Sequence, residues 1–141
     1  MTVSTHYGSP VFDCSGARLR AQSRRLATIV ALSGDLTADN FDLMTEHASP
    51  FVQSAASVVL DLSGVTTMCP QAMALIRAFD KTCGDAGVDW ALVPSRAVAD
   101  VLSTDDVLYP VAESVPDALT YFADETLQRR SLLLPLLTKS A

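Results

Sequence analysis

Apolar and polar positions change period several times along this chain, and each change marks an element. Residues 58–62, Val-Val-Leu-Asp-Leu, are a short run rich in β-branched side chains, which predicts a strand covered on both faces at the centre of a sheet. Pro70 opens a different rhythm. Ala72, Leu75, Ile76, Phe79 and Cys83 then share one stripe at helical spacing, while Arg77, Asp80 and Lys81 fall on the opposite side. Gly84 is expected as the left-handed cap of that helix, with Gly87 freeing the chain to enter the next strand. Upstream, Leu19 and Ala21 alternate with Arg18, Arg20 and Gln22, predicting an edge strand with one solvated face. Residues 26–32 predict a buried strand that pairs with it as a hairpin. Thr37 is placed to cap a helix with Asp39 in its first turn and Phe41, Met44 and Ala48 as its stripe, and Pro50 ends or kinks that helix. Downstream the pattern predicts a strand at 88–93, a short helix at 97–102, a brief strand at 109–112 and a last helix at 116–127.

This order of elements predicts one α/β domain at residues 11–127, preceded by a flexible segment at 1–10 and followed by a leucine-rich tail at 128–141. A chain of 141 residues can bury enough surface for one core without staples. Residues 1–10 are polar and lack the apolar core of a secretory signal. Cys14, Cys69 and Cys83 are odd in number and show no paired short spacing, which suggests neither a disulfide framework nor a metal site. Cys69 and Cys83 bracket one helix, so at about 1.5 Å rise per residue they stand roughly 20 Å apart, too far to bond. Reduced thiols fit a cytoplasmic protein. The formal net charge of −6 argues against nucleic acid as a partner. Arg18, Arg20, Arg24 and Arg25 cluster locally, in keeping with protective charges on an edge strand.

The segment 58–73, ending Thr-Thr-Met-Cys-Pro-Gln-Ala-Met, resembles the core motif of the STAS domain of bacterial anti-sigma-factor antagonists. There a strand reading Leu-Asp-Leu-Ser leads into Asp-Ser-Ser-Gly-Leu at a helix start. The likeness continues through Ser33-Gly34-Asp35-Leu36-Thr37, through residues 88–95 and 98–108, and through Val115-Pro116-Asp117-Ala118-Leu119. It implies a mixed sheet of four to five strands with helices packed mainly on one side. It also implies a non-catalytic, protein-binding role whose partner is an anti-sigma factor of histidine-kinase-like fold. The recognition surface it implies is Asp35, Thr37, Thr66, Thr67, Met68, Cys69, Gln71 and Met73. One departure is specific. The serine that partner kinases phosphorylate in the family falls on Gln71, which cannot be phosphorylated and does not supply the charge of about −1.5 to −2 that a phosphate would.

Other candidates in the same turn have simpler readings. Thr66 and Thr67 carry hydroxyls that do not align with the family's serine position; some STAS proteins carry threonine phosphosites, and the alternative reading is turn and capping bonds. Cys69 stands at a helix start, where a thiolate is favoured, but it also serves as a small hydrophobe. Asp61 sits within the central strand, and neither His6 nor His47 joins a visible catalytic constellation. No phosphate loop, metal series or nucleophile elbow is present, so the sequence implies no enzyme and no cofactor. Leu132, Leu133, Leu134, Leu136 and Leu137 are too few to cross a bilayer and too many to leave exposed, which makes them a cover for the domain or a homodimer contact. Two alternative roles remain for such a domain: an accessory subunit of a lipid ABC transporter, and a small-molecule or nucleotide sensor.

Overall fold

A computed structural model describes residues 2–6, 9–53 and 55–125. Strands β1 (Thr2–His6), β2 (Ser9–Cys14), β3 (Ala17–Ser23) and β4 (Thr28–Leu36) form an antiparallel meander. Helix α1 (Phe41–Gln53) leads to β5 (Ser57–Met68), which pairs parallel to β4. A 3-10 turn, Pro70–Ala72, runs into α2 (Met73–Ala86), and β6 (Asp89–Pro94) pairs parallel to β5. Helix α3 (Arg96–Leu102) and a last helix, α4 at 115–125, complete the described chain. The six strands lie side by side in sequence order.

Side-chain alternation divides the interior in two. Ala21, Val30, Leu60 and Leu92 stand opposite one another across four strands, all buried toward α1 and α2. The neighbouring row, Ile29, Val59 and Ala91, faces the other way and meets Ala118 and Phe122 of α4. The mixed sheet with helices mainly on one side is therefore present, with α4 alone on the reverse face among the described helices. β5 is an interior strand, one place in from the edge strand β6 instead of at the centre, and its apolar run is buried on both faces as its β-branched composition predicts. The α2 stripe of Ala72, Leu75, Ile76, Phe79 and Cys83 is buried throughout, and Arg77, Asp80 and Lys81 face solvent.

Several local expectations are corrected. The sheet has six strands because residues 2–6 add β1 outside β2, where no strand was expected. β3 is consequently an interior strand, though Arg18, Arg20 and Gln22 do keep a solvated face, with Arg18 paired to Asp13 at 2.6 Å. Helix α1 continues through Pro50 to Gln53, since the missing N–H costs a single intrahelical bond while Val52 gains a fully buried place. Gly84 lies inside α2, and Gly87 is its left-handed cap at φ 68°, with the Val88 N–H donating to Cys83 O at 2.9 Å. The strand expected at 109–112 is a single parallel bridge from Val111 to Leu92. The tail and its five leucines lie outside the described residues.

Candidate functional site

The ends of β4 and β5 meet the β2–β3 turn at one edge of the sheet. Gly34, at φ 88°, brings β4 so close to that turn that a Cβ there would stand 2.2 Å from Gly16 O. The Asp35 N–H then donates to Gly16 O at 3.0 Å. Pairing between β4 and β5 slips at this point: Gly34 faces Val65 but Asp35 faces Thr67, so Thr66 is an extra residue on β5. Such a bulge re-aims side chains. Here it lets two successive threonines reach the same carboxylate oxygen, Thr66 Oγ1 donating to Asp35 Oδ1 at 2.8 Å and Thr67 Oγ1 at 2.9 Å. All three residues are exposed. The Thr66 hydroxyl, then that of Thr67, holds the Asp35 carboxyl below its ordinary range against a slight opposing effect of burial.

Behind this surface lies a residue that sequence reasoning passed over. Asn40 is fully buried, the one polar side chain so placed among the described residues. Its Nδ2 donates to Asp35 O at 2.8 Å, Ser15 O at 3.2 Å and Cys14 O at 3.4 Å, while its Oδ1 accepts from the Thr37 N–H at 2.9 Å. One side chain thus ties the β2–β3 turn to the β4–α1 turn. Its only sequence signal was an amide residue just before an apolar helix, a common capping choice. Thr37 makes the expected capping contacts one turn ahead of α1: its hydroxyl accepts from the Asp39 N–H at 3.2 Å and its carbonyl from the Phe41 N–H at 3.1 Å, with the helix itself running from Phe41.

Beyond Met68 the chain is closed by Cys69 N–H donating to Leu36 O at 2.9 Å. Cys69 has extended backbone, φ −74° and ψ 151°, and its carbonyl accepts from Ala72 N–H at 3.0 Å across the turn that Pro70 begins. Gln71 is exposed on that turn, and Met68 and Cys69 are half-buried against the core. Met73 does not join the surface. At 2 % exposed it is packed in the core cluster with Leu75, Ile76 and Phe79 of the same helix. The structure therefore brings Asp35, Thr66 and Thr67 into contact, with Thr37, Met68, Cys69 and Gln71 on the flanking segments.

Other polar groups stand apart. Asp61 Oδ1 accepts from the Ser63 N–H and hydroxyl, a local turn. His47 stacks on Phe12 with ring centroids 3.6 Å apart. All three cysteines are free, and burial, with Asp80 second, pushes the Cys83 thiol up to about 12. No group of three or more His, Cys, Asp or Glu among the described residues could hold a metal ion. No helix among them is long and apolar enough to cross a membrane.

Comparison with known proteins agrees with this architecture. The STAS domain family matches residues 18–118. Osmosensory protein A of Mycobacterium tuberculosis (strain ATCC 25618 / H37Rv) is 36% identical over 146 residues, covering 99% of this chain and 92% of that one. Among solved structures, an anti-sigma factor antagonist from Mycobacterium paratuberculosis superposes with a TM-score of 0.66 at 18% identity, over 76% of this chain and 94% of that one. The anti-sigma factor antagonist SpoIIAA in its unphosphorylated form gives 0.58 at 11%, over 80% and 96%. SLC26A9 gives 0.57 at 17%, over 73% of this chain and 21% of that one. At such identities these three are likenesses of fold.

Proposed function

We propose that this chain, which belongs to the STAS domain family, is a non-catalytic, cytoplasmic regulator that binds an anti-sigma factor of histidine-kinase-like fold. The observation that carries the reading is the exposed Asp35–Thr66–Thr67 cluster, fixed from behind by buried Asn40 and flanked by the Gln71 turn. An exposed hydrogen-bonding surface, beside which the polar cleft at Gly16, Ser33 and Gly34 has its charged groups Asp13 and Arg18 paired to each other, suits recognition of a protein better than turnover of a substrate. On this reading Gln71 stands where the family's phosphorylated serine would. A neutral, exposed amide there would keep the surface permanently in its binding form, since no kinase can add charge to it. The name of the mycobacterial relative points to osmotic stress as the condition in which such a regulator would act.

An affinity capture of anti-sigma factors from host extract, with and without osmotic upshift, tests the reading. The expected result is recovery of a histidine-kinase-like anti-sigma factor, unaltered by prior incubation with ATP. Recovery of an ABC-transporter ATPase in its place would turn the assignment to the transporter-accessory role. Thermal stabilisation by a nucleotide with no protein captured would turn it to a sensor.

A further inference from the structure

Pro50 lies inside α1 and has no N–H to give the Glu46 carbonyl one turn earlier, so that oxygen lacks its usual helical partner. Residues four apart share a helix face, and here Glu46 and Pro50 are both exposed and both line a cleft of ≈ 440 Å³ between α1 and strands β2 and β3. Phe12 and Leu19, both buried, form its floor. Half-buried His47 and Phe51 line it as well, the His47 ring lying face to face on Phe12 with centroids 3.6 Å apart and planes 18° from parallel. The Glu46 carboxylate has no ion pair or hydrogen bond among the described residues.

A cleft of this volume, apolar and aromatic with a few polar groups, has the size and character of a small-molecule site. Its polar groups select the ligand. Apart from the His47 ring, which is packed on Phe12, they are the Glu46 carboxylate and the Glu46 carbonyl freed by Pro50, and both only accept hydrogen bonds. An ammonium group answers both at once, with N–H donors for the two acceptors and a positive charge for the unpaired carboxylate. An anion would set like charge against Glu46, in a chain whose net charge is already −6. We propose that this cleft binds a small organic ammonium that keeps at least one N–H, its head at Glu46 and its apolar or aromatic body against Leu19, Phe12 and Phe51. The site shares no residue with the Asp35–Thr66–Thr67 surface, so it does not depend on what that surface binds.

Amide chemical-shift titration of the full chain with phenethylammonium, and with hydrocinnamate as its anionic counterpart, tests this. The cation should give saturable shifts at Phe12, Leu19, Glu46, His47 and Phe51. It should bind at least about tenfold more tightly than the anion, a factor within reach of one charge contact near a surface. Glu46→Gln, at an exposed position that does not threaten folding, should abolish that preference. Pro50→Ala restores the N–H that closes onto the Glu46 carbonyl and favours the helix, so it keeps the fold and should weaken the cation about fivefold, the worth of one hydrogen bond. Shifts that do not saturate or that centre elsewhere would overturn the proposal. So would equal binding of the two ions, or cation binding as tight as that of the wild type in both variants.

Discussion

Replacing Asn40 with alanine measures how firmly the recognition surface is built into the fold. The wild-type amide donates to Asp35 O, Ser15 O and Cys14 O and accepts from Thr37 N–H, at 2.8, 3.2, 3.4 and 2.9 Å. Truncation removes all of these at once. The two shortest count as full hydrogen bonds at roughly 1 kcal/mol net each, and the Thr37 N–H and Asp35 carbonyl left without partners add about 1–2 kcal/mol. The expected loss is about 3–4 kcal/mol, which at roughly 4 °C per kcal/mol for a chain of this size lowers Tm by about 12–16 °C. Urea unfolding followed by circular dichroism gives the same quantity as a midpoint shift at constant slope. Asn40→Asp keeps an acceptor for Thr37 but sets a carboxylate against the Cys14, Ser15 and Asp35 carbonyl oxygens, so at neutral pH it should be at least as damaging. A loss below about 1 kcal/mol for Asn40→Ala would refute the reasoning, because it would mean that water replaces the amide at little cost.

Three further outcomes are expected. Gly34→Ala should destabilise by about 2–4 kcal/mol in thermal melts, since its φ of 88° and the 2.2 Å approach to Gly16 O leave a Cβ nowhere to go; a wild-type melting temperature would contradict this. The folded-state pKa of Asp35 lies below its ordinary range, so its contribution to stability is present above that range and is lost as pH falls through the depressed value. A carbon NMR titration should show that low midpoint in the wild type and its return toward normal in Thr66→Val/Thr67→Val; equal midpoints would exclude the hydroxyls as the cause. The Cys83 thiol is raised by burial, so its contribution is present below the unfolded thiol range and is lost as pH rises toward about 12. Iodoacetamide near pH 8 should therefore modify half-buried Cys69 first and spare Cys83 until denaturant is added, whereas equal rates in the folded chain would count against the burial argument.

What the sequence made legible was local. The α2 stripe and the β5 run repeat within a few residues, so hydrophobic periodicity located both, and the family motif pointed to Asp35, Thr66 and Thr67 as one surface. The contact among those three joins residues 31 and 32 positions apart and depends on a bulge, which no periodicity announces. Asn40 was missed for the same reason, because its acceptors at Cys14 and Ser15 lie 26 and 25 residues upstream. Met73 was misplaced because a motif puts a residue in chain order at a helix start without saying which way its side chain faces, and here that side chain is buried. β1 escaped notice because an outer strand needs backbone partners more than it needs apolar side chains, and residues 2–6 have few.

The central claim is that the Asp35–Thr66–Thr67 surface and the Gln71 turn bind an anti-sigma factor without phosphorylation control. Calorimetric titration of the full chain into a purified histidine-kinase-like anti-sigma factor of the same host, with and without ATP, tests it most directly. The account predicts that the wild type binds equally in both conditions, that Asp35→Ala/Thr66→Ala/Thr67→Ala binds at least about tenfold more weakly while remaining folded, and that Gln71→Ser binds but loses affinity once ATP is present. Binding by the triple variant as tight as that of the wild type, or wild-type binding abolished by ATP, would contradict it.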